Sequence, residues 1–231
     1  MEKGESEGRK MTMEQFNESV NRDIARMMEQ RSDEWVQARI GLVGCSRLSD
    51  VLARGKDGKP SATRKNYMAE LLCERLTGVH QESYTSPSMI RGVEMEPEAR
   101  AEYEMRTGCE VTLHGGMMHP SINGWRGSPD GLVSDDGMIE IKNPNTATHI
   151  DTLLNGTIDR AYILQMAGYL EIFNRQWIDF VSYDNRLPDE LSMYVRRFFR
   201  SELPLDKCRE GVILFLEELN AMEKTLRESM A

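Results

Sequence analysis

Long apolar runs are missing from this 231-residue chain. The longest, such as VILFL at 212–216, fall far short of the roughly 20 residues needed to cross a bilayer. The opening residues, MEKGESEGRKMTMEQ, have no apolar stretch of the signal-peptide kind. No membrane partner is expected, and the expected location is the cytoplasm. Cysteine is scarce and scattered, at Cys45, Cys73, Cys109 and Cys208, with no C-x-x-C pair. That spacing argues against structural zinc and for free thiols in a reducing compartment. A net positive charge is lacking too. At −9 the chain is unsuited to a uniformly polyanion-coating surface. No internal repeat is present.

What is present is globular material, 39% hydrophobic and 29% charged, with length for one large domain or two small ones. The charge is unevenly spread. Residues 31–65 hold eight Lys/Arg against four acids, and residues 66–110 hold nine Glu against four Arg. Such a division suits a protein that grips phosphates and concentrates carboxylates. It equally suits two solvated faces.

Residues 1–10 are polar and mixed in charge, and read as disordered. Apolar spacing predicts a helix over 11–30, and SDEW at 32–35 an N-cap and short helix. Residues 1–30 are taken as an N-terminal extension and 31–231 as the main domain. A basic loop, ARGKDGKPSATRKN, leads into a helix closed by Gly78. A second helix, through EMEPEAR, closes at Gly108, with Pro97 kinking it or marking a first turn. CEVTLHG, GSPDGLV, MIEIKNP, WIDFVSYD and LSMYVRRFF are β-prone. AYILQMAGYLEIF and a long C-terminal segment are helical. The pattern predicts an α/β fold in one domain, a central sheet flanked by helices.

The stretch GSPDGLVSDDGMIEIKNP, 127–144, carries the chemistry. Side chains alternate along a strand, so Glu140 and Lys142 share one face, about 6.6 Å apart along the chain. Asp130 joins them only in the right register. A three-residue turn, Asp135-Asp136-Gly137 with Gly137 left-handed, puts Leu132 opposite Glu140 and Asp130 opposite Lys142. A two-residue turn puts Val133 opposite Glu140 and Asp130 on the wrong face. The first register is the expectation. Two carboxylates with a lysine suit phosphodiester hydrolysis. Hard oxygen ligands hold Mg²⁺, the ion activates water, and the ammonium orients water or stabilises developing charge.

The [D/E]-x-K triplet alone is weak, since this composition gives roughly one match by chance. Two occur, at 57–59 in a Gly/Pro loop and at 140–142 in an apolar strand. On the residues alone the second is either half of a nuclease centre or a hairpin with a solvated ion pair. His114 and His119, five apart around Gly-Gly, read as turn histidines before a metal pair. Ser128 has no evident histidine base.

GSPDG…EIK resembles the PD-(D/E)xK nuclease motif. DEWVQARIGLVGCSRLSDVL, RGVEMEPEAR, GSPDGLVSDDGMIEIKNP and AYILQMAGYL, in this order, resemble the lambda-exonuclease (YqaJ-type viral recombinase) family over about 32–220. The resemblance implies a restriction-endonuclease-like domain with a mixed central sheet. It implies two Mg²⁺ ions, with Mn²⁺ as the alternative, held by Asp130, Glu140, the Ile141 carbonyl and Glu96. Lys142 would help activate water, and Gln165 would position water or metal, with Tyr162 beside it. Arg39 and Ser46 match residues that hold a 5′-terminal phosphate. Lys56, or Arg54 or Lys59 from the same loop, would add a third basic group. Met89 would wedge between the strand ends. A longer N-terminal extension and the overall negative charge depart from the family's pattern.

The implied activity is 5′→3′ digestion of one strand of linear duplex DNA, giving 5′-mononucleotides and a 3′ overhang. The implied partners are DNA with a 5′-phosphate, two further copies in a trimeric ring, and a single-strand annealing protein. The setting would be a bacterial cell carrying a phage or prophage. Two alternatives stay open. One is another PD-(D/E)xK enzyme, an endonuclease or junction resolvase without the Arg39/Ser46 pocket. The other is a non-catalytic scaffold that binds DNA ends. The iron–sulfur nucleases are disfavoured, because only Cys208 lies beyond the motif.

Overall fold

The computed structural model describes residues 37–81 and 86–229. The predicted helix at 11–30 and the N-cap at 32–35 lie outside the described residues. The chain runs β1 (Val43–Gly44), a 3-10 turn (Cys45–Arg47), α1 (Leu48–Val51), α2 (Ala62–Thr77) and α3 (Pro87–Thr107). Then come β2 (Val111–Thr112), β3 (Met117–Met118), β4 (Trp125–Gly127), β5 (Gly131–Val133) and β6 (Gly137–Lys142). Helices α4 (Thr146–Asn155) and α5 (Arg160–Phe173), strands β7 (Trp177–Tyr183) and β8 (Met193–Phe199), and α6 (Leu205–Ser229) complete it.

The main sheet has the order β2-β5-β6-β7-β8. Within this sheet, among the described residues, β6 and β7 are the parallel pair, and α4 and α5 form the crossover between them. All seven residues of β7 are buried, as a central strand covered on both faces requires. On one face Ile139, Ile141, Trp177 and Val181 pack with Ala99 and Tyr103 of α3. On the other, Met138, Ile178 and Phe180 pack with α5, then with α2, α6 and Cys45–Leu48. A small sheet, β1-β4-β3, sits on the far side of α5. Helix α5 is thus buried over most of its surface, from Leu164 to Leu170 without a break. Gly168 allows the close approach there: a Cβ would come within 2.5 Å of Leu48 Cδ1 and 2.8 Å of Cys45 Sγ.

The helix ends follow local chemistry. Ser61 and Ser86 accept from the amides of Arg64 and Met89, and Gly78 and Gly108 take the left-handed conformation at the C-caps. Pro97 lies mid-helix rather than in the first turn. Helix α4 was not anticipated, though Asn145 caps its start and Gly156 its end.

The hairpin register corrects the expectation. Gly131 pairs with Ile139, Leu132 with Met138 and Val133 with Gly137. The turn is Ser134-Asp135-Asp136, and Ser134, not Gly137, has positive φ, at 48°. Gly137 opens β6 because a Cβ there would lie 2.0 Å from the Trp177 indole. Glycine is needed for packing, not for the turn. The offset from expectation is two residues, and two residues preserve the face. Asp130 therefore continues the ladder beside Glu140 rather than beside Lys142.

Candidate active site

Glu140 and Lys142 lie on the α5 face of β6. Lys142 Nζ sits 2.6 Å from Glu140 Oε1 and 4.6 Å from the Tyr162 ring centre. Gln165 Nε2 donates to the same Oε1 at 2.6 Å and to the Tyr169 hydroxyl at 2.8 Å. Tyr162 stacks on Phe180 and forms the wall. Asp130 is oriented by the amide of Ile141, which donates to its Oδ2 at 2.6 Å. The loop carrying Asp130 is braced by the buried Arg100, whose Nε donates to the Asp130 carbonyl at 3.2 Å.

Glu140 is 1% exposed. Burial first, then the charge of Asp130, pushes its pKa well above the ordinary carboxylate range against the pull of Lys142. Burial opposes the Lys142 ammonium as well, but the charges of Glu140 and Asp130 outweigh it and hold its pKa above the ordinary value. Glu140 Oε2 is buried with no hydrogen-bond partner. A crowded carboxylate pair with an orphaned oxygen is short of positive charge, the condition a cation relieves.

Glu96 faces the same region, and its charge raises the Glu140 pKa further. Its Oε1, however, accepts from Arg100 Nη2 at 2.5 Å. Among the described residues, no group of three or more His, Cys, Asp or Glu side chains gathers to hold a metal ion. The candidate donor set is instead two carboxylates, Asp130 and Glu140. Mg²⁺ suits that set, since it takes one or two carboxylates and completes its octahedron with waters and substrate phosphates.

A cleft of about 630 Å³ opens from Asp130 and Glu96 toward Arg39, Ser46 and Met89. Ser46 is exposed in the 3-10 turn after β1. Burial lowers the Arg39 pKa from its ordinary value. Met89, in the first turn of α3, is 54% exposed and not a core side chain. Arg54 lines a different cleft, with Arg160 and Lys207. Lys56 and Lys59 share the Arg54 loop and do not line the first cleft.

Several cleft residues went unassigned in the sequence. Among them Tyr169 holds Gln165, Ser128 and Arg126 line the cleft, and Arg47 lines it over the Tyr67 ring. Only Ser128 had a signal, its place within SPDG, and it was weighed solely as a nucleophile. His114 and His119 are turn residues: each Nδ1 accepts backbone amides, and His119 stacks on Trp125. Cys45 and Cys208 are buried free thiols, the latter pushed up to about 12 by burial.

No curated protein matches the chain. Among solved structures, an alkaline exonuclease from Laribacter hongkongensis, LHK-Exo, is 44% identical, with a TM-score of 0.80, over 86% of this chain and 98% of its own. LHK-Exo in complex with dAMP matches at 45% identity and the same TM-score and coverage. A phage related exonuclease from Haemophilus somnus 129PT is 20% identical, with a TM-score of 0.62, over 82% of this chain and 96% of its own, a likeness of fold. The YqaJ-like viral recombinase domain matches residues 34–176, more than half of the chain. The chain belongs to the YqaJ-like viral recombinase family.

Proposed function

We propose that this protein is a Mg²⁺-dependent 5′→3′ exonuclease acting on linear double-stranded DNA. It releases 5′-mononucleotides and leaves a 3′ overhang for recombination. One observation carries the reading: a single cleft joins the Arg39/Ser46 pair to Asp130, next to the buried Glu140–Lys142 pair. The likeness to an exonuclease solved with dAMP supports it.

Asp130, Glu140 and the Ile141 carbonyl would hold the metal, with Glu96 joining once it leaves Arg100. A divalent ion there polarises a phosphoryl oxygen and lowers the pKa of water. Lys142 Nζ orients the attacking water and faces the charge that develops on the phosphate. Gln165 fixes Glu140 through Oε1, which would leave Oε2 to serve as a ligand. Arg39 and Ser46 hold the terminal phosphate, which sets the scissile bond at the carboxylates. Met89 separates the strand ends. Lys56, Arg54 and Lys59 contact the duplex beyond. A homotrimeric ring and a single-strand annealing partner complete the proposal. Among the described residues no helix is long and apolar enough to cross a membrane.

The test is a time course on linear duplex, with and without a 5′-phosphate, in Mg²⁺ or EDTA. Phosphorylated linear ends are degraded in Mg²⁺, and EDTA stops release. Lys142→Ala lowers release at least ~100-fold while end binding persists. Equal cutting of closed circles points to an endonuclease, and no metal-dependent release from any substrate points to a scaffold.

A further inference from the structure

Helix α3 carries two cleft residues, Met89 and Glu96, on its N-terminal half. That half is weakly built. Gly92 lies inside it, and glycine disfavours a helix interior. Pro97 has no N–H, so the Val93 carbonyl lacks its helical donor. Packing does little to hold this arm. No residue from Pro87 to Glu96 is buried, whereas Ala99 and Tyr103 of the later half enter the core.

The ties that hold the arm are polar. Asn143 Nδ2 donates to the Gly92 carbonyl at 2.7 Å. Arg91 Nη2 donates to Asn185 Oδ1 at 2.9 Å and to Asp184 Oδ1 at 3.3 Å. Asn143 follows Lys142 at the end of β6, and Asp184 and Asn185 follow β7. The parallel strands therefore hold the arm by their carboxyl ends.

Asn143 is the more telling tie. The pleat turns it away from Lys142 and toward α3. Its Oδ1 is buried with no hydrogen-bond partner. A buried amide oxygen left unpaired is unfavourable, and an apolar residue would avoid it. What Asn143 supplies in return is the bond to Gly92. Met89 lies three residues before Gly92 and Glu96 four after it, so the three share one stripe of the helix. The bond thus grips the arm between the two cleft side chains.

We infer that Asn143 is a positioning residue: by holding the Gly92 carbonyl it sets the N-terminal arm of α3, and with it the Glu96 carboxylate beside Asp130 and Glu140. This rests on the exonuclease reading above. Asn143 acts through the arm and takes no part in the chemistry.

The experiment compares Asn143→Ala with wild type in Mn²⁺ affinity, by calorimetry without DNA, and in kcat and KM on linear duplex. Mn²⁺ binding is expected to weaken about 3- to 10-fold, the scale of one hydrogen bond, and kcat to fall by a similar factor. In a Glu96→Gln background the substitution leaves Mn²⁺ affinity unchanged, because the arm then has no carboxylate to place. Gly92→Ala puts its new carbon in open space and stiffens the arm, so it restores part of both losses in Asn143→Ala. Asn143→Gln keeps a donor amide and serves if the alanine variant melts early, with affinity closer to wild type. A lowered Tm with Mn²⁺ affinity and kcat unmoved overturns the inference by leaving Asn143 a strut of the fold. Equal losses with and without the Glu96 carboxylate overturn it as well. A wild-type chain that binds Mn²⁺ yet releases no nucleotide overturns the exonuclease reading, and this inference with it.

Discussion

Among the described residues, two buried carboxylates stand in contrast, Glu140 and Asp184. Glu140 is the expensive one, kept beside Asp130 with one oxygen unsatisfied. Asp184 is the contrasting case. It is fully buried, yet it accepts from Arg186, Thr146 and Arg91, and so joins the end of β7 to α4 and α3. Burial opposes its ionisation, but the bonds from Arg186 and Thr146 outweigh this and hold its pKa at about 2, below the ordinary 3.8. A depressed carboxylate stabilises the fold above its unfolded pKa and ceases to as pH falls through the folded one. Asp184→Asn is expected to cost roughly 2 kcal/mol near neutral pH. The gap to wild type closes as pH drops from about 3.8 to about 2. Denaturant melts at several pH values read it, and a gap independent of pH refutes it.

Among the elements, the β5–β6 hairpin decides the site. Asp130 reaches Glu140 because the ladder keeps both on the α5 face, and the indole of Trp177 occupies the space where a Gly137 side chain would be. Gly137→Ala forces a rigid ring to move, with three ring atoms within 2.3 Å of the new carbon. A loss of about 1–3 kcal/mol follows, with Tm lowered by about 2–4 °C per kcal/mol. Activity falls further than stability, since the strain lies three residues from Glu140. Calorimetry and release rates on linear duplex separate the two, and an unchanged Tm rules the packing argument out. The parity of strands made this site partly legible in advance. A register wrong by two residues still put the three polar groups on one face, where one residue would have scattered them. The turn itself was misread because Gly137 looked like a turn glycine, and no local pattern reveals an indole arriving from β7, forty residues on.

On the scale of the whole molecule, the formal charge of −9 and a DNA substrate are reconciled by the cations that line the clefts. Arg39, Arg47 and Arg126 line the first cleft together with Glu70, Glu74, Glu96 and Asp130. The further cations Arg54, Arg160 and Lys207 line a second cleft. A ring of three copies would add such surfaces around one DNA axis. Light scattering after gel filtration is expected to give three times the chain mass. A monomer mass at micromolar concentration refutes the ring and leaves the single-chain site intact.

The sequence by itself determined the class of fold and brought one candidate cluster to notice. Apolar periodicity, glycine caps and strand alternation are local properties, and Asp130, Glu140 and Lys142 fall within thirteen residues. Tertiary structure alone decided what lies far apart in the chain. It put Gln165 and Tyr169 against Glu140, bound Glu96 to Arg100, set Arg126 beside the strand that leads to Ser46, and sent Arg54 to another cleft. Those placements depend on which helix packs on which sheet face, and long-range packing leaves no spacing in the sequence from which to read it.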